Sequence, residues 1–202
     1  MTQKITTIKD NILTSMLSAA PFEGWTQVSL KKATLAAGYH QDMAEAVFIQ
    51  GVQDVVIHFA DWADRHMLAR LSHLSPRPRR IRDQITEAVW TRINVLSPYR
   101  DAERQAVSYW VRPFRKRAGA QILWKTSDVI WQWAGDESQD YNYYTKRTLL
   151  SGVLATTTLC ALDDTSPDLS TTRHFLDRRI ENVMQLGGVI GKMKTFRHRY
   201  TS

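Results

Sequence analysis

Val52-Gln53-Asp54-Val55-Val56-Ile57-His58-Phe59-Ala60-Asp61-Trp62-Ala63-Asp64-Arg65-His66-Met67-Leu68-Ala69-Arg70-Leu71 decides the fold. Val55, Val56, Phe59, Ala60, Ala63, Met67 and Leu71 recur three and four apart, the stripe of one face of a long α-helix, and Pro76 and Pro78 stop it. Upstream, Ser29 is positioned to cap a short helix carrying Leu30, Ala33 and Ala37, Gly38 ends it, and a second short helix follows over residues 41–49. Farther back, Ile5, Ile8, Ile12, Leu13, Met16, Leu17 and Ala20 predict a helix over 4–20, broken at Pro21 and Gly24. One long, two short and one long helix, with turns at Gly24, Gly38 and Gly51, is the layout of a helix-turn-helix lobe leading into a connecting helix.

Downstream, Ile81, Ile85, Val89, Ile93 and Leu96 predict a helix ending before Pro98, and residues 102–111 a further one. Ile122, Leu123, Val129, Ile130 and Trp133 mark a helix ending near Gly135. Two long helices follow over 145–162 and 171–186, the second announced by Ser166-Pro167-Asp168, a cap with proline in the first helical turn. Sustained alternation of period two is absent, so the fold class is all-α, and the helix order resembles that of the TetR regulators.

The 202 residues, 43% hydrophobic, suffice for one sizeable core. The single cysteine, Cys160, lies in the apolar run 154–162, which excludes an internal disulfide framework and fits a reducing compartment and inert packing. Residues 1–10 hold neither an apolar signal core nor an Arg-rich leader, and no apolar run reaches the length of about 20 residues that spans a bilayer. The net charge of +7 predicts an anionic partner. Residues 75–117 hold eleven Lys or Arg against Asp83, Glu87, Asp101 and Glu103, so that segment alone carries the net excess.

Trp131-Gln132-Trp133-Ala134-Gly135-Asp136-Glu137-Ser138-Gln139-Asp140-Tyr141-Asn142-Tyr143-Tyr144-Thr145-Lys146-Arg147, followed by Asp164-Thr165-Ser166-Pro167-Asp168 and Phe175-Leu176-Asp177-Arg178-Arg179, resembles the carboxy-terminal signature of the coenzyme Q (ubiquinone) biosynthesis protein 9 family. The resemblance implies a TetR-like fold that does not bind DNA, a hydrophobic pocket for ubiquinone precursors or other isoprenoid lipids, a homodimer, and a complex with the di-iron demethoxyubiquinone hydroxylase. It implies a cytoplasmic protein peripherally associated with the inner membrane, on the matrix side in a mitochondrion. Two features depart from eukaryotic members: Tyr143 stands where they usually have Trp, and sixteen residues follow Leu186 where they carry a long amphipathic membrane-binding helix. The expected organisation is a degenerate helix-turn-helix-like lobe with its connecting helix over 1–75, a helical lipid-binding and dimerisation lobe over 76–188, and a short basic tail over 189–202.

The function expected is that of a non-catalytic accessory protein that binds a ubiquinone precursor and presents it to the hydroxylase. The alternative is a TetR-type repressor with a small hydrophobic effector. Residues 41–64 oppose it, for they contain Asp42, Glu45, Asp54, Asp61 and Asp64 and no Lys or Arg, whereas phosphate contacts dominate DNA affinity. Catalysis has little support. His58 and His66 share a helix face but stand roughly 12 Å apart at about 1.5 Å rise per residue, and His73 is farther along. No Glu-x-x-His pair exists for a di-iron site, and the Ser-x-x-Lys of Ser29 to Lys32 lacks its companion motifs. No cofactor is expected.

Seven Trp suit both a packed core and a flat apolar ligand. The expected lipid lining is Val89, Ile93, Leu96, Trp110, Phe114, Leu123 and Trp131. The expected membrane-facing cations are Arg77, Arg79, Arg80 and Arg82, with Arg115, Lys116 and Arg117, because basic side chains near an anionic surface contribute roughly 1 kcal/mol each. Asp140 or Asn142 is placed to cap the helix that follows. By resemblance Asp128, Tyr143, Tyr144 and Arg147 meet the hydroxylase, with Tyr143, Tyr144 and Arg147 read as projecting outward and taking little part in the fold.

Overall fold

The computed structural model describes residues 2–138 and 141–199. Nine α-helices form among the described residues: α1 (Thr2–Glu23), α2 (Gln27–Ala36), α3 (Asp42–Val47), α4 (Val52–Ser72), α5 (Ile81–Leu96), α6 (Arg100–Trp110), α7 (Lys116–Trp133), α8 (Tyr141–Asp163) and α9 (Ser170–Arg199). There is no strand among them.

The first four helices follow the apolar spacing. Ile12, Leu13, Met16, Leu17 and Ala20 are buried on α1, which runs past position 21 and ends where the amide of Gly24 bonds Ala20 O at 2.9 Å. Gly24 has φ +67 and Gly51, ahead of α4, φ +60, the left-handed region that favours glycine. The cap of α2 differs from the expectation. Thr26, with extended backbone, is the N-cap, and Ser29 sits at the third helical position, fully buried. Each accepts the other's amide, Ser29 N–H to Thr26 Oγ1 at 3.1 Å and Thr26 N–H to Ser29 Oγ at 3.0 Å, so a capping box starts the helix earlier than Ser29. The long helices α1 and α4 are also joined by Asp10, which accepts both guanidinium nitrogens of Arg65 (2.7 and 2.9 Å) and pairs with His58 Nε2 at 2.7 Å.

Two cores result. The first gathers α1, α2, α3 and the front half of α4, but also takes Val95, Leu96, Ala102, Ala106 and Tyr109 from α5 and α6. Trp25 anchors that addition, its indole N–H donating to Ala102 O at 3.0 Å. The second core gathers Met67 and Leu71 of α4 with Val89, Ile130, Leu154, Leu176 and Ile180 of α5, α7, α8 and α9. The long α4 therefore belongs to both.

Helix ends explain the remaining joins. Pro98 follows α5 as expected and opens a short 3-10 turn, Ser97–Tyr99. Pro167 also opens a 3-10 turn (Pro167–Leu169) rather than the first turn of α9, which starts at Ser170. The amide of Thr171 bonds Ser166 Oγ at 3.0 Å, while that of Thr172 bonds the buried Asp164 Oδ2 at 2.7 Å. Burial alone would raise the Asp164 carboxyl, but hydrogen bonds from Ser166 and Thr172 hold it well below the usual carboxylate range. On the other side of the turn, Arg100 and Arg104 of α6 donate to the carbonyls of Ala161, Leu162 and Asp164, satisfying the end of α8. The basic residues of the expected tail, Lys192, Lys194, Arg197 and Arg199, fall on the last turns of α9, and their side chains lie outside the described set.

Candidate functional site

Helices α4, α6, α7 and α8 enclose a cavity of about 380 Å³, within the range of small-molecule sites. Its wall is almost entirely apolar: Val56 and Phe59 from α4, Ala106, Val107 and Trp110 from α6, Ile122 and Leu123 from α7, Ala155 from α8. Exposed Val111, Lys116 and Leu159 also border it, which puts its rim at the start of α7 and the outer face of α8. Gly119 sets the width at one point, because a Cβ there would lie 3.0 Å from Trp110 Cβ. A second hollow of about 50 Å³, lined by Ile93, Leu96 and Leu169, lies beside it, and Glu103 and Thr158 line both.

Of the expected lining residues, Trp110 and Leu123 are at the main cavity. Ile93 and Leu96 are buried and reach only the small hollow. Val89 is in the second core and Trp131 packs against that core, with Lys146 over its ring at 5.2 Å. Phe114 is fully exposed at φ +68, in the turn between α6 and α7. The apolar stripe of α5 thus serves packing, and α6 supplies the wall expected of it. Sequence reading missed Val56, Phe59, Ala106, Val107 and Ala155, and the polar members Arg92, Glu103 and Thr158. Arg92 is buried, its Nε donating to Asp64 Oδ1 at 2.8 Å, and Thr126 Oγ1 donates to Asp64 Oδ2 at 2.8 Å.

A second site joins α7 to α8. Arg147 was expected to project outward, and instead its side chain is 2% exposed. Nε donates to Asp128 Oδ1 at 2.6 Å and Nη1 to Asp136 Oδ2 at 3.0 Å, and the guanidinium lies 3.4 Å from the centroid of the Tyr143 ring. Tyr143 is half-buried and its hydroxyl donates to Asp128 Oδ1 at 3.3 Å. Arg147 is therefore structural, because a charge one helical turn after Tyr143 faces the acidic residues at and after the end of α7. Burial alone would raise the Asp136 carboxyl, but Lys146, Ser138 and Arg147 hydrogen-bond it down to about 2. Tyr144 remains 61% exposed, and with Tyr143 and Trp124 it makes an aromatic cluster with centroids 5.2 to 6.4 Å apart. Asp140 lies outside the described residues.

The cations divide by environment. Arg77 stacks on Trp133 at 4.6 Å and donates to its carbonyl, and Arg82 pairs with Glu181 at 3.8 Å, while Arg79 and Arg80 are exposed. Arg115 lies over the Tyr109 ring at 4.0 Å. Arg112, Lys116 and Arg117 are exposed around Phe114 and Val111. Among the described residues no group of three or more His, Cys, Asp or Glu is placed to hold a metal ion, and no helix is long and apolar enough to cross a membrane. In the helix-turn-helix-like lobe α3 has only six residues and exposes Asp42 and Glu45.

The COQ9 family model matches residues 117–187, which covers α7, α8 and most of α9. The ubiquinone biosynthesis protein COQ9 of Rattus norvegicus is 31% identical over 195 residues, covering 93% of this chain and 62% of that protein. Over most of its length the chain is similar to the COQ9 proteins, and its residues 117–187 fit that family's model. The human COQ9 protein is 28% identical over 93% of the chain and 61% of its own length, and that of Schizosaccharomyces pombe 28% over 92% and 73%. The chain spans about three fifths of the length of the rat, human and bovine COQ9 proteins. In fold, it is similar to a TetR transcriptional regulator from Nitrosomonas europaea, with a TM-score of 0.70 at 15% identity, covering 89% of this chain and 99% of the regulator. The TetR-like, all-α architecture is thus common to that transcriptional regulator and to this chain.

Proposed function

We propose that this chain is a non-catalytic lipid-binding accessory protein of ubiquinone biosynthesis, which holds an isoprenoid precursor in the cavity between α4, α6, α7 and α8 and presents it to the di-iron demethoxyubiquinone hydroxylase. The observation that carries this reading is the apolar cavity of about 380 Å³ open at Val111 and Leu159. An apolar chain entering such a cavity gains about 0.8 kcal/mol per buried CH₂, so few polar contacts are needed. The names of the matched relatives supply the pathway. Mass spectrometry of lipids extracted from the purified protein tests the reading: a prenylated, ring-bearing lipid near equimolar amount is expected, and protein free of any such lipid after expression in a ubiquinone-producing host overturns it.

The hydroxylase is proposed to dock on the aromatic cluster of Trp124, Tyr143 and Tyr144 beside Asp128, with Arg147 holding Tyr143 and Asp128 in place. Tyr and Trp at the edge of a rigid helix pair are the residue types that dominate binding hot spots. The membrane is proposed to be met by the turn carrying Val111, Phe114 and the cations Arg112, Arg115, Lys116 and Arg117 at the cavity rim, with Arg79 and Arg80 adding positive charge. Such a protein would sit peripherally on the cytoplasmic or matrix face of the inner membrane.

A homodimer is proposed through α8 and α9, where Met184 is exposed and Leu149 and Phe175 are half-buried, whereas Val153 lies in the monomer's own core. Sedimentation at micromolar concentration should read twice the 23.3 kDa of one chain. A strictly monomeric profile argues against the pairing.

A further inference from the structure

The main cavity is apolar except where it meets the small hollow, and Glu103 of α6 stands at that junction with Thr158 of α8. Among the described residues no hydrogen-bond donor or cation is within bonding distance of the Glu103 carboxyl. The charges around it are already committed. Arg92 of α5 is paired with Asp64 of α4, whose other oxygen takes the Thr126 hydroxyl from α7. Arg100 spends its guanidinium on the carbonyls of Ala161, Leu162 and Asp164, and Lys116 is at the exposed rim. Glu103 is half-buried, and an ionised carboxyl there would give up part of its hydration beside an apolar hollow with only Arg92, already paired to Asp64, to offset it. Burial accordingly pushes its carboxyl up; Arg92 offsets part of that rise and Asp64 adds to it. A neutral carboxyl has an O–H to donate and an oxygen to accept with.

Building on the lipid-carrier reading, we propose that Glu103 selects the head of the bound lipid by hydrogen-bonding to an uncharged oxygen function such as a quinone, ketone or alcohol, while the tail runs toward the rim at Val111 and Leu159. Anionic heads are disfavoured because, among the described residues, the guanidinium at the inner end of the cavity, Arg92, is already paired with Asp64. Cationic heads are disfavoured because a neutral Glu103 offers them no counter-charge.

Trp110 lines the cavity, so quenching of tryptophan fluorescence reports binding of the quinone, and its reversal by a competing probe reports binding of the others. The probes are decyl-benzoquinone, decanol, decanoate, decyltrimethylammonium and decane, titrated into the full chain. The wild type should bind the quinone and decanol about tenfold more tightly than decanoate or decyltrimethylammonium, the size of effect one well-made hydrogen bond supports. Glu103→Leu should weaken the quinone and decanol about tenfold and leave decane within about twofold, and Glu103→Gln, which keeps an N–H donor, should retain most of the preference. The proposal is overturned if decyltrimethylammonium or decanoate binds best, or if Glu103→Leu leaves the preference for oxygenated heads intact. Equal binding of all probes defeats this inference alone, whereas failure of every probe to bind defeats the lipid-carrier reading with it. Should Glu103→Leu not fold, the wild-type ranking and Glu103→Gln decide the matter.

Discussion

Arg147→Ala is expected to cost about 2 to 3 kcal/mol of folding stability, because it removes the buried guanidinium that ties Asp128 to Asp136 and leaves Lys146 and Ser138 as the remaining partners of Asp136. For a chain of this size that is a fall in Tm on the order of ten degrees. Tyr144→Ala, at an exposed position, should change stability by about 0.5 kcal/mol or less. If Tyr144 is a docking anchor, that same variant loses about 2 kcal/mol or more of hydroxylase binding. Thermal melts set beside a hydroxylase pull-down separate the two effects. An Arg147→Ala protein that melts with the wild type contradicts the buried network, and a Tyr144→Ala protein that pulls down normally contradicts the docking surface.

The same network sets an acid limit. The Asp136 carboxyl sits at about 2 in the fold, against about 3.9 in an unfolded chain. A depressed folded pKa means that its stabilisation is whole above about pH 4 and is lost as the pH falls toward 2. Asp136→Asn should flatten that part of the stability profile while lowering stability at neutral pH.

The other large effect concerns the turn between α6 and α7. Changing Arg112, Lys116 and Arg117 together to Gln should weaken binding to phosphatidylserine-containing vesicles about a hundredfold, at roughly 1 kcal/mol per cation and 1.4 kcal/mol per tenfold. Phe114→Ser should cost about tenfold or more in addition, since burying a phenyl side chain contributes about 1.5 to 3 kcal/mol. The electrostatic part should shrink at high salt while the Phe114 part persists. Vesicle co-sedimentation reads both, and triple-Gln protein that binds anionic vesicles like the wild type removes this turn from the membrane face.

How much of this was legible in the sequence depends on the kind of contact involved. The stripes of α1, α4 and α5 and the stop before Pro98 are local signals, and they place the helices within a turn or so. The COQ9 likeness was readable in residues 131–147, which fall inside the matched span. Arg147 was misread because its partners Asp128 and Asp136 lie 19 and 11 residues away on other elements, and no spacing rule joins them. The cavity wall was misplaced for a related reason: periodicity says that Val89 and Ile93 face inward, but not whether the interior they face is packed or hollow. One signal was present and unused. Asp64 and Arg92 are charged residues set into otherwise apolar stripes, the pattern of a buried pair, and that pair leads to Glu103.

The bond from Trp25 to Ala102 spans 77 residues, and the core it closes also needs Val95, Leu96, Ala106 and Tyr109. At about 5 to 20 residues per second of synthesis, α1 through α3 leave the ribosome several seconds before α6 exists to complete their packing. During that interval the core around Ile12, Leu13 and Met16 lacks its α5 and α6 wall, so the lobe of α1 to α4 does not complete its packing ahead of the rest.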